Sequence, residues 1–116
     1  MEDWSLAHPK IDAIVSMNDN MATGALEAVN GKPAFQNIQS YGVDGTPEAA
    51  LLIQSGMTAT ARQNAIELAR LNMKSVHELL TGEKTQLDVT ISNPLITKEN
   101  AGEFVKMYRD VGLITD

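Results

Sequence analysis

Three side chains able to take up the hydroxyl groups of a neutral ligand, Asn18, Asp44 and Gln63, each stand immediately after a short apolar run of the kind that forms a strand. A carboxylate accepts two hydroxyl protons, and a side-chain amide donates to one hydroxyl while accepting from its neighbour. An Asn, an Asp and a Gln together therefore suit a polyhydroxylated compound with alternating donors and acceptors. Each residue also has a plainer role open to it. Asn18 and Asp19 are good helix caps, Asp44 is an ordinary turn residue in Asp44-Gly45-Thr46-Pro47, and Gln63 would serve equally as a solvated loop residue. What favours a shared binding role is that all three fall at equivalent places in the order of elements.

That order is read from periodicity and punctuation. Residues 11–17 (IDAIVSM) form a short β-rich run; after Asn18-Asp19-Asn20 come Met21, Ala25, Leu26 and Val29 at helical spacing, closed by Gly31. The pattern repeats with a strand over 38–43, a loop, and a helix through Gln54 in which Thr46 is the N-cap and Pro47 a first-turn proline. A third run over 57–61 ends at Arg62-Gln63. It leads into a long amphipathic helix with Ile66, Ala69, Met73, Val76 and Leu80 on one face, Glu67, Arg70, Lys74 and Glu78 opposite, and Gly82 at its end. The alternation in 87–91 (LDVTI) predicts a fourth strand. Ser92-Asn93-Pro94 then breaks the chain, Leu95-Ile96 is a brief apolar run, and Thr97 caps a last helix to about Val111, stopped by Gly112.

Strands alternating with helices over short connections predict right-handed βαβ units and hence an α/β fold with a parallel sheet flanked by helices. In such sheets the carboxyl ends of the strands share one edge, and ligands bind in the crevice outside it. Asn18, Asp44 and Gln63 would gather there.

Composition narrows the class. At 116 residues the chain is one domain in size, and 43% hydrophobic with 21% charged residues is an ordinary globular balance. The net charge of -6 with 9 scattered basic residues offers no stripe for phosphate backbones, so nucleic acid is not an expected partner of this chain. With no cysteine there is no disulfide framework, thiolate metal site or cysteine nucleophile. His8 and His77 lack companions for a metal set, and no nucleophile–base pair is visible, so neither a metal nor a catalytic residue is expected. The start, Met1-Glu2-Asp3-Trp4, has no charged-then-apolar run, so the secretory signal of an exported parent would lie outside this chain.

The run Ser16-Met17-Asn18-Asp19-Asn20-Met21-Ala22 resembles the NDxMA signature of periplasmic sugar-binding proteins of the ribose- and galactose-binding type. Tyr41-Gly42-Val43-Asp44-Gly45-Thr46-Pro47 is similar to their GxDGTP segment, Ala59-Thr60-Ala61-Arg62-Gln63 to their ATxxQ, and Asn93 to Asn100 to the ITKEN tail before their final helix. The order and approximate spacing of the first three agree, apart from a register about one residue short near Thr58 that makes Gln63, rather than Asn64, the better match.

This resemblance implies a Rossmann-like lobe of the periplasmic-binding-protein fold, incomplete because the chain resembles only the C-terminal portion of a two-lobed protein. It implies that Asn18, Asp44 and Gln63 bind a monosaccharide or polyol, that Asp19 is structural at the helix start, and that Arg62 is a further candidate to face the cleft. It implies a non-catalytic solute-binding component of an ABC uptake system, needing no cofactor and reaching the transporter permease through the full-length protein. That parent would be periplasmic or on the extracellular surface. It also implies that residues 1–63 and 93–116 make the C-terminal lobe, while the helix and strand of 64–92 belong with the other lobe. The long helix's apolar face would then lack its natural cover, which predicts self-association, a swapped oligomer, or a fragment of a longer protein. The competing resemblance is to the effector-binding region of a lactose-repressor-type regulator, which shares the fold; the ITKEN tail and GxDGTP loop favour the uptake protein. Val43-Asp44-Gly45-Thr46 lacks the nucleophilic Asp of a DxDGT phosphatase, since Gly42 holds that place, and Gly82-Glu83-Lys84-Thr85 lacks the upstream glycine of a phosphate loop.

Overall fold

The computed structural model describes residues 1–86 and 88–115, and within them helix caps and apolar runs set the element boundaries. The chain opens with a helix α1 (Glu2–Ala7), followed by β1 (Ala13–Val15), α2 (Asp19–Val29), a single 3-10 turn (Pro33–Phe35), β2 (Gln39–Asp44) and α3 (Pro47–Ile53). Then come β3 (Ala59–Arg62), α4 (Ala65–Leu80), β4 (Leu95–Thr97) and α5 (Ala101–Asp110). Asn18 caps α2 by accepting from the Met21 N–H at 2.8 Å, and Thr46 caps α3 by accepting from Ala49 N–H at 3.1 Å, with Pro47 in the first turn as its fixed φ prescribes.

The α/β reading holds, with three corrections. The sheet has the order β1-β2-β3-β4; β1, β2 and β3 run parallel, but β4 returns antiparallel to β3, pairing Leu95 with Ala61 and Thr97 with Ala59. Thr97 is therefore a strand residue, and Asn100 makes the junction to α5: its Oδ1 accepts from Thr97 N–H and its Nδ2 donates to the Leu95 carbonyl. Of the strand expected over 87–91, Leu87 lies outside the described residues and 88–91 form no strand. A strand exists only as part of a ladder, and 88–91 pair with none of the four strands of this sheet. The helix α1 was not anticipated; its six residues carry no side-chain cap, and it is tied to the body by Lys32, whose Nζ donates to Ser5 Oγ at 2.6 Å.

Helices α2, α3 and α5 cover one face of the sheet. Ala22, Ala49, Ile53, Met57, Ile96 and Ala101 form its core, and Ala50, Val105 and Tyr108 a second cluster between α3 and α5. Burying side chains such as Ile53 and Ile96 contributes about 2–3 kcal/mol each. The opposite face presents Val15, 83% exposed, beside half-buried Tyr41 and Val43, and Leu95, 54% exposed. Parallel strands are normally covered on both faces. Helix α4 packs on neither: Ile66, Met73, Val76 and Leu80 are all exposed, and the molecule measures 60 × 32 × 20 Å. Its radius of gyration of 18.2 Å exceeds the roughly 13 Å of a compact chain this long. At the far end of α4 the Glu78 carboxylate meets Lys84 Nζ at 2.9 Å and Lys74 Nζ at 3.7 Å; the hydrogen bond from Lys84 is the main cause holding its pKa below the usual value.

One polar cluster pins this layer together. The Asp19 side chain, wholly buried at the start of α2, accepts from Thr46 N–H at 2.8 Å and from the Thr60 hydroxyl at 2.6 Å, joining α2 to β3 and to the start of α3. It fits against β2 because residue 42 is glycine: a Cβ there would stand 2.2 Å from Asp19 Oδ1 and 2.8 Å from Met57 Cε. Replacing Asp19 by Ala strands two buried donors, so D19A is expected to lose about 3 kcal/mol in urea unfolding, and G42A to be comparably damaging. The control is G24A, an open position inside α2, which should gain about 1 kcal/mol. Equal behaviour of D19A and G24A would contradict the assignment.

Candidate functional site

Because β1, β2 and β3 are parallel, their carboxyl ends lie along one edge, with neighbouring strands about 4.8 Å apart. Asn18 follows β1, Asp44 ends β2 and Gln63 follows β3, so the three expected residues lie on successive strand ends with Asp44 in the middle. Asp44 and Gln63 touch: Gln63 Nε2 donates to Asp44 Oδ1 at 2.9 Å, and the Gln63 backbone N–H donates to the Asp44 carbonyl at 3.0 Å. This pairing aims the two side chains as a unit and leaves Asp44 Oδ2 without a partner among the described residues. Asn18 has its Oδ1 engaged as the α2 cap, while its amide NH2 has no partner among them. The cap and the candidate ligand group are thus two ends of one side chain: Asn18 is fixed by its oxygen and presents a donor. Together the edge offers a donor, an acceptor and a second amide, the pattern that hydroxyl pairs match.

Asp44 holds this place in an unusual backbone conformation. Its φ is 117°, and the following Gly45 also has positive φ, 69°. A non-glycine residue there carries about 1–3 kcal/mol of strain and persists only where its surroundings fix it. They do so here through every adjoining peptide group. Gly45 N–H donates to Thr60 Oγ1 at 3.2 Å, the Tyr108 hydroxyl donates to the Gly45 carbonyl, and Thr46 N–H donates to Asp19. A Cβ on Gly45 would meet Arg62 at 2.8 Å, so the loop also requires glycine for space.

Asp19, read as a structural helix-start residue, is the buried hub of this loop; Thr60 and Tyr108 were not singled out at all. The available signal was Gly42, since a glycine inside a strand marks a close approach of another group. No local signal links Tyr108 to Gly45, 63 residues away. Arg62, the further cleft candidate, lies with its guanidinium 5.5 Å from the centre of the Phe104 ring, a cation–π contact that steadies it beside the Gly45 turn. Hollows of about 410 Å³ (Leu26, Lys32, Phe35, Leu52) and about 640 Å³ (Trp4, Ile14, Met21) lie elsewhere, and none of Asn18, Asp44 and Gln63 lines them. Among the described residues no cluster of three or more His, Asp or Glu could hold a metal, and no helix is long and apolar enough to cross a membrane.

Comparison with known proteins agrees with this architecture. The family model described as a periplasmic binding protein domain matches residues 1–84. The ribose import binding protein of Bacillus subtilis is 36% identical over 96 residues, covering 82% of this chain and 30% of that protein. The D-allose-binding periplasmic protein of Escherichia coli is 34% identical over 98 residues, covering 84% of this chain and 28% of that protein. Among solved structures, the arabinose ABC transporter binding protein of Shewanella, bound to L-arabinofuranose, superposes with a TM-score of 0.80 at 26% identity over 95% of this chain and 38% of that one. An ABC transporter solute-binding protein of Agrobacterium vitis with bound allitol gives 0.79 at 28% identity over 91% and 38%. The chain spans about a third of the length of the curated relatives it matches. On the family match over most of its residues, the chain belongs to the periplasmic binding protein family.

Proposed function

We propose that this chain supplies one wall of a binding site for a monosaccharide or polyol, in a solute-binding component of an ABC uptake system. The observation that carries the reading is the edge itself: Asn18, Asp44 and Gln63 on successive parallel strand ends, with Asp44 and Gln63 already hydrogen-bonded to each other. The relatives support the ligand class, since they include proteins named for ribose, allose and xylitol, and three of the solved neighbours hold glycerol, allitol or arabinofuranose. In this reading Asn18 donates an N–H to a ligand hydroxyl, Asp44 accepts a hydroxyl proton at Oδ2, and Gln63 completes the set. No bond is made or broken, so the protein acts as a carrier and not an enzyme. Segments 1–63 and 93–116 form the C-terminal lobe, and 64–92 reaches to the other lobe of a periplasmic parent, which delivers the ligand to a membrane permease. Ligand contact with both lobes would favour the closed arrangement by population shift.

Amide-resolved NMR titration of the chain with ribose, allose, arabinose, xylitol and allitol tests the site. Saturable shifts centred on Asn18, Asp44 and Gln63 with one of them are expected. Asp44→Gly separates function from folding: glycine relieves the positive φ, so urea unfolding should show stability unchanged or raised by about 1 kcal/mol, while the sugar response disappears. A saturable response that survives Asp44→Gly would sink the assignment.

The uncovered face of α4 carries a second proposal, that isolated chains self-associate through it. Ile66, Met73 and Val76 are 57%, 74% and 52% exposed on one side of a 16-residue helix, and a contiguous apolar stripe in water favours burial. Sedimentation velocity should show oligomers at micromolar concentration that M73K/V76K converts to monomer. A monomeric wild-type chain would refute self-association.

A further inference from the structure

The Asp44 turn is held by groups that come from three separate elements, α2, β3 and α5, and the Tyr108 hydroxyl on α5 has no other hydrogen bond among the described residues. Tyr108, on α5, is buried among Ala50 and Val105, where the ring of a phenylalanine would pack equally well; its hydroxyl reaches out of that cluster to the Gly45 carbonyl. From the other side, Asp19 holds Thr46 N–H directly and Gly45 N–H through the Thr60 hydroxyl, which accepts from Gly45 and donates to Asp19. The two peptide groups that follow Asp44, 44–45 and 45–46, are therefore clamped from opposite directions. We propose that Asp19 and Tyr108 are positioning residues for the ligand edge: they lock the Asp44–Thr46 turn in its left-handed form, and so couple the last helix, α5, to the direction in which the Asp44 carboxylate points. Neither touches ligand; both act through Gly45 and Thr46. The part concerning sugar affinity rests on the proposed function above, while the part concerning Asp44 geometry does not.

The test uses the Asp44–Gln63 hydrogen bond as a ligand-independent readout. In the wild-type chain the Gln63 side-chain NH2 protons should be inequivalent and shifted by their carboxylate partner, and the Asp44 and Gly45 amides sharp. In Tyr108→Phe, with helix content retained by circular dichroism, those signals should move toward random-coil positions or broaden, while amides of β1 and of α2 beyond its first turn stay put. Val105→Ala, in the same buried cluster on α5 but with an apolar side chain that cannot hydrogen-bond the Gly45 carbonyl, provides the comparison for general loosening. It should leave Asp44 and Gln63 unchanged at equal or greater loss of stability. Should Tyr108→Phe fail to fold, Asp19→Asn gives the same readout, because its amide forces the Thr60 hydroxyl to accept and weakens its hold on Gly45. Unchanged Asp44 and Gln63 signals in the folded variant, or equal changes in Val105→Ala, would overturn the positioning role. If the signals respond as expected but no sugar titrates the wild-type chain, the positioning role stands and the sugar reading of the site fails; if sugar does titrate, Tyr108→Phe should weaken it several-fold.

Discussion

A wholly buried aspartate governs the geometry of this molecule. The Asp19 side chain costs free energy to remove from water, and that cost is offset only because Thr46 N–H and the Thr60 hydroxyl complete its hydrogen bonds. The requirement propagates outward. Residue 42 must lack a side chain to admit the carboxyl group, Thr60 must lie on the covered face of β3, and α3 must begin where its capping residue can turn an N–H inward. The Asp44 turn is the visible product of these demands, and its backbone strain is tolerated because the network leaves its neighbouring peptides no alternative partners.

Away from this tightly specified end, much apolar surface lies uncovered. One sheet face is packed by α2, α3 and α5, while the other exposes Val15 and Leu95, and among the described residues the outer edge of β1 carries no further strand. Helix α4 leaves the body altogether. Parallel strands are ordinarily covered on both sides, and an amphipathic helix ordinarily buries its stripe. That the matched relatives are about three times as long accords with surfaces of this kind.

The parts of the fold that were legible in the sequence are those written in local chemistry. Asn18 and the Thr46-Pro47 pair mark helix starts by short-range bonds, so the first three strand–loop–helix units could be read in order, and with them the equivalence of Asn18, Asp44 and Gln63. The parts that were not legible depend on partners far along the chain. Thr97 has the makings of a cap, but pairing with Ala59 makes it a strand residue, and the alternation Asp88, Val89, Thr90, Ile91 describes a strand without a ladder to join. The two-ended use of Asn18, the bond between Asp44 and Gln63, and the reach of Tyr108 to Gly45 exist only once the chain is folded.

The way α4 leaves the body has a mechanical consequence. Gln63 is bonded through its backbone to Asp44, and the helix begins two residues later, at Ala65, after an irregular Asn64. The returning chain is fastened at the same spot, where Arg62 N–H donates to the Pro94 carbonyl. Helix α4 thus has the geometry of a lever arm whose fulcrum is the carboxyl edge of the sheet. Sixteen residues make it about 24 Å long, so a rotation of roughly 10° at the fulcrum carries its far end about 4 Å. A change too small to alter the packing of the sheet would be magnified at the tip, and a push on the tip would be delivered, geared down, to Gln63.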